Sequence, residues 1–334
     1  MQASRIEEKA RELDEMRRVR VIRSGDVDFG KYLTATDPSE QIKRADVWLG
    51  EMKAELHSPV REVFQTMPWR KTHSSFQFRP GEVTLYAGSN GGGKSLITGQ
   101  IAMGLIKQEQ NICIASFEMK PKRSIGRMLR QFSGVNLLGP MYSGRAHYMN
   151  QMIDRFSAFV DGKLWFYDQQ GTVTSKQVIA VARYCAVELG ITHIFIDSLM
   201  KCVPAEDDYN AQKFFIDELT SLARDHNVHI HLIHHIRKLA NEEMMPNKND
   251  VKGTGAIADQ VDNVLLMWRN KKKEHKIQNG EMVDSTTPDA MLMCEKQRNG
   301  EAEDWYSLWY NKESQQYLEY NSSTSMAFDH EGEF

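Results

Sequence analysis

The stretch VTLYAGSNGGGKSLITGQIAMGLIKQ (83–108) constrains this chain more than any other. Apolar, strand-forming residues give way to GSNGGGKS and then to a helical pattern, so strand, glycine-rich loop and helix follow one another. The loop fits G-x-x-x-x-G-K-[ST], in which glycines let backbone amides close around phosphate oxygens and the helix start adds partial positive charge. Gly88, Ser89, Asn90, Gly91, Gly92, Gly93, Lys94 and Ser95 are therefore the expected cradle for ATP or another nucleoside triphosphate. Lys94 is expected to reach the β/γ-phosphates and Ser95 to ligate Mg²⁺. A glycine turn of purely structural use is the competing reading, and the strand-loop-helix context disfavours it.

Strands and helices keep alternating beyond this point. NICIASFE (111–118), KLWFYD (163–168), HIFIDSL (193–199), VHIHLIHH (228–235) and VDNVLLMW (261–268) read as strands. Between them lie helical segments that start at Pro121, end at Gly190, and run over 210–227. Such crossovers predict an α/β domain: a twisted, mainly parallel sheet flanked by helices, with ligands at the carboxyl ends of its strands. A hairpin over 291–310 closes the pattern. Residues 1–60 read as a charged extension with a helix over 38–56, whose apolar stripe is Ile42, Ala45, Trp48, Leu49 and Met52. The domain spans 61–320, with a lead-in loop before a compact part that begins near Phe76, and 321–334 read as a mobile polar tail.

A net charge of −3 argues against wholesale coating of nucleic acid but leaves room for a local basic channel. Four scattered cysteines without C-x-x-C spacing predict neither a zinc site nor a disulfide framework. No apolar run approaches the roughly 18 residues a membrane span needs. The charged opening is not a secretory signal, so a cytoplasmic protein is expected.

Three polar residues end strands at the sheet edge that carries the glycine loop. Asp197 closes IFID and suits Mg²⁺, with helix capping as the alternative. Glu118 closes IASFE and can polarise the water that attacks a γ-phosphate; otherwise it caps the helix at Pro121. Ser198 follows Asp197, so no glutamate stands directly after that aspartate, and an acid on the earlier strand is a RecA-like arrangement. His235 closes VHIHLIHH as a candidate γ-phosphate sensor or a buried, hydrogen-bonded histidine. Metal ligation by His229, His231 and His234 is not expected, because no carboxylate or Cys joins them at ligand spacing.

GSNGGGKS, SFEM (116–119), FIDS (195–198), HHIRK (234–238), DVKGTGAIADQVDNVLLMWRN (250–270) and EKQRNGE (295–301) occur in that order. The series resembles the C-terminal motor domain of DnaB-like replicative helicases, particularly the Twinkle and phage primase–helicase branch, over about Phe76 to Tyr320. The resemblance implies a RecA-like P-loop ATPase core and an ATP-dependent DNA helicase that tracks single-stranded DNA as a homo-oligomeric, hexameric ring in replication. It implies that Lys296 and Arg298, two apart on the hairpin, enter the next subunit's ATP site; two solvated surface cations are the alternative. It implies that Lys252, Gly253, Thr254 and Gly255 hold DNA phosphates, with Arg237 and Lys238 as further contacts. The helix over 38–56 would pack on the adjacent subunit, or else dock within its own chain. RNKKKEHK (269–276) reads as a solvated lysine loop, with contact to a displaced strand or a partner as the alternative. Residues 1–60 are too short for a collar, zinc-binding or Toprim-like primase module, so a separate primase or loader is a further expected partner. A RecA-like recombinase and a KaiC-like regulator or helicase-loading adaptor are the rival readings.

Overall fold

The computed structural model describes residues 20–22, scattered positions between 45 and 57, and residues 63–329 apart from 206 and 242. Most of the N-terminal extension and of the expected helix over 38–56 lies outside the described residues. Leu49 and Met52 of its stripe are described, and both are exposed.

Among the described residues, ten strands form a single sheet. They are β1 (Arg20–Ile22), β2 (Val83–Gly88), β3 (Ile112–Ser116), β4 (Leu164–Tyr167), β5 (His193–Asp197), β6 (His229–His235), β7 (Asn263–Arg269), β8 (Ala290–Gln297), β9 (Trp305–Asn311) and β10 (Gln316–Leu318). Their spatial order is β1-β4-β3-β5-β6-β2-β7-β8-β9-β10. Pairing is parallel from β1 to β7 and antiparallel from β7 to β10. The helices are α1 (Lys94–Lys107), α2 (Pro121–Ser133), α3 (Ala146–Val160), α4 (Ser175–Leu189), α5 (Tyr209–His226), α6 (Ala256–Gln260) and α7 (Lys271–Gln278).

The strands are apolar on both sides, as a sheet covered on two faces requires. Alternate residues sort into two cores. Val83, Leu85, Cys113, Ala115, Ile194, Ile196, Ile230 and Leu232 face α4, α5 and α6. Ile112, Phe166, Phe195, Ile233 and Leu265 face α1, α2 and α3. On that second face the middle strands carry a hydrogen-bonded histidine layer instead of aliphatic side chains. His231 Nε2 lies 3.0 Å from His193 Nδ1 and its Nδ1 lies 2.9 Å from the Tyr86 hydroxyl. His229 bonds the Thr84 hydroxyl at 2.8 Å and the Arg79 carbonyl at 2.7 Å. Burial lowers the pKa of all three rings, which keeps them neutral in the core.

Several expectations are corrected. The lead-in is part of the core: Met67 and Trp69 are fully buried, and the Trp69 indole donates to the Tyr317 carbonyl at 2.8 Å. The tail is packed as far as Asp329 rather than mobile. Phe328 is buried, Met326 exchanges two hydrogen bonds with the Gln316 side chain, and Asp329 pairs with Arg155. The segment 269–276 is mostly helix, not loop: the Asn270 side chain accepts from the Lys273 amide at 3.0 Å and caps α7. Lys273 is buried and paired with Asp289 at 2.7 Å.

Candidate active site

The loop after β2 turns sharply, with the Gly92 amide donating to the Ser89 carbonyl at 3.0 Å and positive φ at Gly91 and Gly93. Gly93 has φ +90°, and a Cβ there would stand 2.1 Å from the Tyr317 hydroxyl, so backbone conformation and space both demand glycine. Lys94 opens α1 and folds back over the loop, donating to the carbonyls of Gly88 and Ser89 at 2.9 Å each. Burial lowers its pKa to about 8, against the opposing pull of Asp197 and Glu118. The Ser95 hydroxyl donates to Asp197 Oδ2 at 3.1 Å, so the two expected metal ligands already touch. Asp197 is buried at the end of β5; burial, then the nearby Glu118 charge, raises its carboxyl pKa.

Glu118 lies just past the end of β3, two places across the sheet from β6, which ends at His235. His235 stands between the cradle and the acid: its Nδ1 is 3.2 Å from Lys94 Nζ and its Nε2 is 3.6 Å from Glu118 Oε1. The Ser198 hydroxyl donates to the same Glu118 oxygen at 2.8 Å. His235 first, then Ser198, hold the Glu118 carboxyl down to about 2, so it is a carboxylate at neutral pH. Lys94, Ser95, Glu118, Asp197 and His235 line an open cavity of about 710 Å³, of a size that takes a nucleotide.

His235, the candidate sensor, and the loop expected to hold DNA are joined through the backbone. The Lys252 amide donates to the His235 carbonyl at 3.0 Å, and His234 Nε2 lies 2.6 Å from the Lys252 carbonyl. Gly253 has φ +96°, and the Gln212 side chain accepts from the Thr254 amide at 3.2 Å. Gly255 leads directly into α6. Arg237 is paired with Asp250 at 2.9 Å, and Lys238 lines a second cavity with Arg237 and Lys252.

Lys296 and Arg298 lie at the other edge of the sheet. Gln297 pairs with Asn263, at the amino end of β7, so Arg298 lies one full strand length from Gly88. Five residue steps from Val83 to Gly88 at roughly 3.3 Å each make that about 17 Å. There the Arg298 guanidinium pairs with Asp262 at 2.9 Å. The Lys296 ammonium donates to the carbonyls of Ala258, Asp259 and Val261 at the end of α6.

A family profile described as the DnaB-like helicase C terminal domain matches residues 73–319, most of the chain. The chain belongs to the DnaB-like helicase family. Among solved structures it is similar to one described as an ATPase domain, with a TM-score of 0.70 and 16% identity over 83% of this chain and 99% of that one. It is also similar to a DnaB-like replicative helicase described with its interactions with primase, with a TM-score of 0.65 and 14% identity over 83% and 67%. At those identities the structural matches speak to the fold, which is the RecA-like ATPase fold. This DnaB-like chain is therefore a nucleotide-binding, NTP-driven enzyme of the helicase class. Among the described residues no helix is long and apolar enough to cross a membrane.

The cavity of the DnaB-like domain has three polar residues that the motifs do not reveal: Arg127, Lys201 and Gln315. Arg127 had a sequence signal. It lies on the helix that begins three residues after Glu118, on the same strip as Arg123 four residues earlier. Lys201 follows Asp197 by four residues in a short 3₁₀ turn, and Gln315 precedes a three-residue strand; neither context marks a site.

Proposed function

We propose that this chain is the motor of an ATP-dependent DNA helicase that assembles as a ring, hydrolyses ATP at seams between copies and moves along single-stranded DNA. The observation that carries this reading is the contact between His235 and Lys252. One histidine touches the cradle lysine and the acid, and its own carbonyl holds the loop we assign to DNA phosphates. Loss of a γ-phosphate beside His235 then has a short mechanical path to the strand.

In the proposed reaction the cradle amides and Lys94 hold the triphosphate, and the Glu118 carboxylate orients a water in line with the γ-phosphorus. The water oxygen bonds to phosphorus as the bond to the β-phosphate oxygen breaks, and Glu118 takes the water's proton. Ser95 and Asp197 offer the hard oxygen donors that magnesium prefers, and magnesium bound there offsets charge on the β- and γ-phosphates. Arg298 is too far from its own cradle to help, and we assign it, with Lys296 beside it, to the nucleotide of the adjoining copy, as the resemblance to the family's motif series implies. An arginine supplied in trans is worth about 10³–10⁵ in rate in GTPase systems. Head-to-tail contacts whose rotation closes make rings, and those that do not make filaments.

Two measurements on the full chain test the reading: particle mass with nucleotide, and ATPase rate with and without single-stranded DNA. The expected results are an annular oligomer and a DNA-stimulated rate. A strict monomer under all conditions, or hydrolysis indifferent to DNA, contradicts it.

A further inference from the structure

The turn after β8 is held by two buried carboxylates, neither of which belongs to the nucleotide site. Asp262 is 3% exposed, and its Oδ2 accepts from the Val83 amide at 2.9 Å, which fixes the carboxylate in the sheet. Its Oδ1 is thereby aimed at the Arg298 NH1, 2.9 Å away, with Arg224 at 3.7 Å on the same oxygen. The Arg298 amide also donates to the Asp262 carbonyl at 2.9 Å, so main chain and side chain are both tied to one residue. Glu82, also 3% exposed, accepts from the Asn299 amide group at 2.7 Å and from that of Asn263 at 2.9 Å. The Arg298 side chain nevertheless remains 41% exposed.

We infer that Asp262 is a positioning residue for hydrolysis at the adjoining copy's nucleotide: with Glu82 acting on Asn299, it presents the Arg298 guanidinium in a fixed place at the seam. This rests on the proposal that Arg298 acts in trans. An arginine on a free turn loses rotamer freedom when it meets a phosphate, whereas one held by a fixed carboxylate has already lost it. Asp262 lies at the amino end of β7, about 17 Å by strand rise from the cradle of its own chain. Its effect is therefore expected on turnover and not on nucleotide binding by the same chain.

The test is DNA-stimulated ATPase kinetics of the full chain for Asp262→Asn, Arg298→Ala, the double variant, and mixtures of each single variant with Lys94→Ala. Asp262→Asn keeps the size of the side chain and removes its charge. It should lower kcat on the order of ten- to hundredfold, with KM for ATP nearly unchanged. The double variant should be no slower than Arg298→Ala, because both changes disable one device. Mixing Asp262→Asn with Lys94→Ala should recover activity, since the first chain keeps a sound cradle and the second a sound arginine; a merely misfolded chain is not rescued this way. Asn299 is exposed, so Asn299→Ala folds in any case and should show a smaller loss with the same rescue.

Wild-type turnover in Asp262→Asn and Asn299→Ala, a rise in turnover, or additive losses in the double variant overturn the inference. If Arg298→Ala and Lys94→Ala still complement each other in that case, action in trans survives without the positioning role. If Arg298→Ala itself turns over normally, the trans reading falls and the inference with it.

Discussion

At the scale of single residues, the site divides its charges by environment. Glu118 and Asp197 share a cavity, yet His235 and Ser198 hold the first well below the usual carboxylate range while burial pushes the second up. Glu118 is thus an ionised carboxylate that can accept a hydrogen bond from water and orient it, and Asp197 is a buried carboxylate whose charge a bound cation would stabilise. Glu118→Gln should cut turnover by about 10²–10⁴ while nucleotide binding persists, as read by steady-state ATPase and a fluorescent-nucleotide titration. A loss of only severalfold would remove Glu118 from the chemistry. Lys94 makes a second prediction. With its pKa lowered to about 8 by burial, the free site carries the ammonium charge below that pH and loses it above. Nucleotide affinity should therefore fall as pH rises from 7 towards 9, and a flat affinity over that range contradicts the assignment. Both residues were legible in the sequence because each ends or begins an element. Arg127 was legible only as one cation of a strip on α2, since its place over the cavity depends on how that helix lies.

At the scale of elements, the loop over 250–255 is tied at both ends. Its start is bonded to the end of β6, and α6, which follows it, is capped by Lys296 and Arg298 through the carbonyls of its last turn. Gly253 sits between these ties at φ +96°, and a Cβ there would stand 2.4 Å from the Gln212 side chain. Gly253→Ala should therefore shift the loop at a cost of about 1–3 kcal/mol of strain and weaken single-stranded DNA binding by roughly tenfold. An equilibrium binding titration at fixed salt reads this, and unchanged affinity would move the DNA contact elsewhere. Strand–helix alternation made β2 to β7 legible nearly to the residue. It failed for α3, where the stripe Met149, Met152, Phe156 and Val160 follows a glycine- and proline-containing loop. It failed for α7, whose polar surface gives no periodic signal and whose start is set by the Asn270 cap. It failed again for β10, too short for a pattern of its own and held by Gln100, Trp69 and Gln131.

At the scale of the whole molecule, the histidine layer makes the fold sensitive to acid. Burial holds His193 and His231 well below 6.5 and brings down to about 4 both His229 and, on the opposite face of β6, His234. The unfolded chain takes up protons near 6.5 that the folded chain refuses, so stability is complete above that pH and drains away as pH falls towards 4. The urea midpoint should decline between pH 6.5 and 5, before most carboxylates titrate, and a constant midpoint would mean the layer accepts protons. The parallel strands place the cradle at one edge of the sheet and the arginine turn at the other, the separation that the proposed head-to-tail seam requires. The measurement that tests this most directly is ATPase activity of Arg298→Ala mixed with Lys94→Ala in equal amounts. Each is inactive alone on this account, and in the mixture about a quarter of the seams pair a sound cradle with a sound arginine, so activity should return to about that fraction of wild type. A mixture no more active than its components, with assembly intact, contradicts the shared seam.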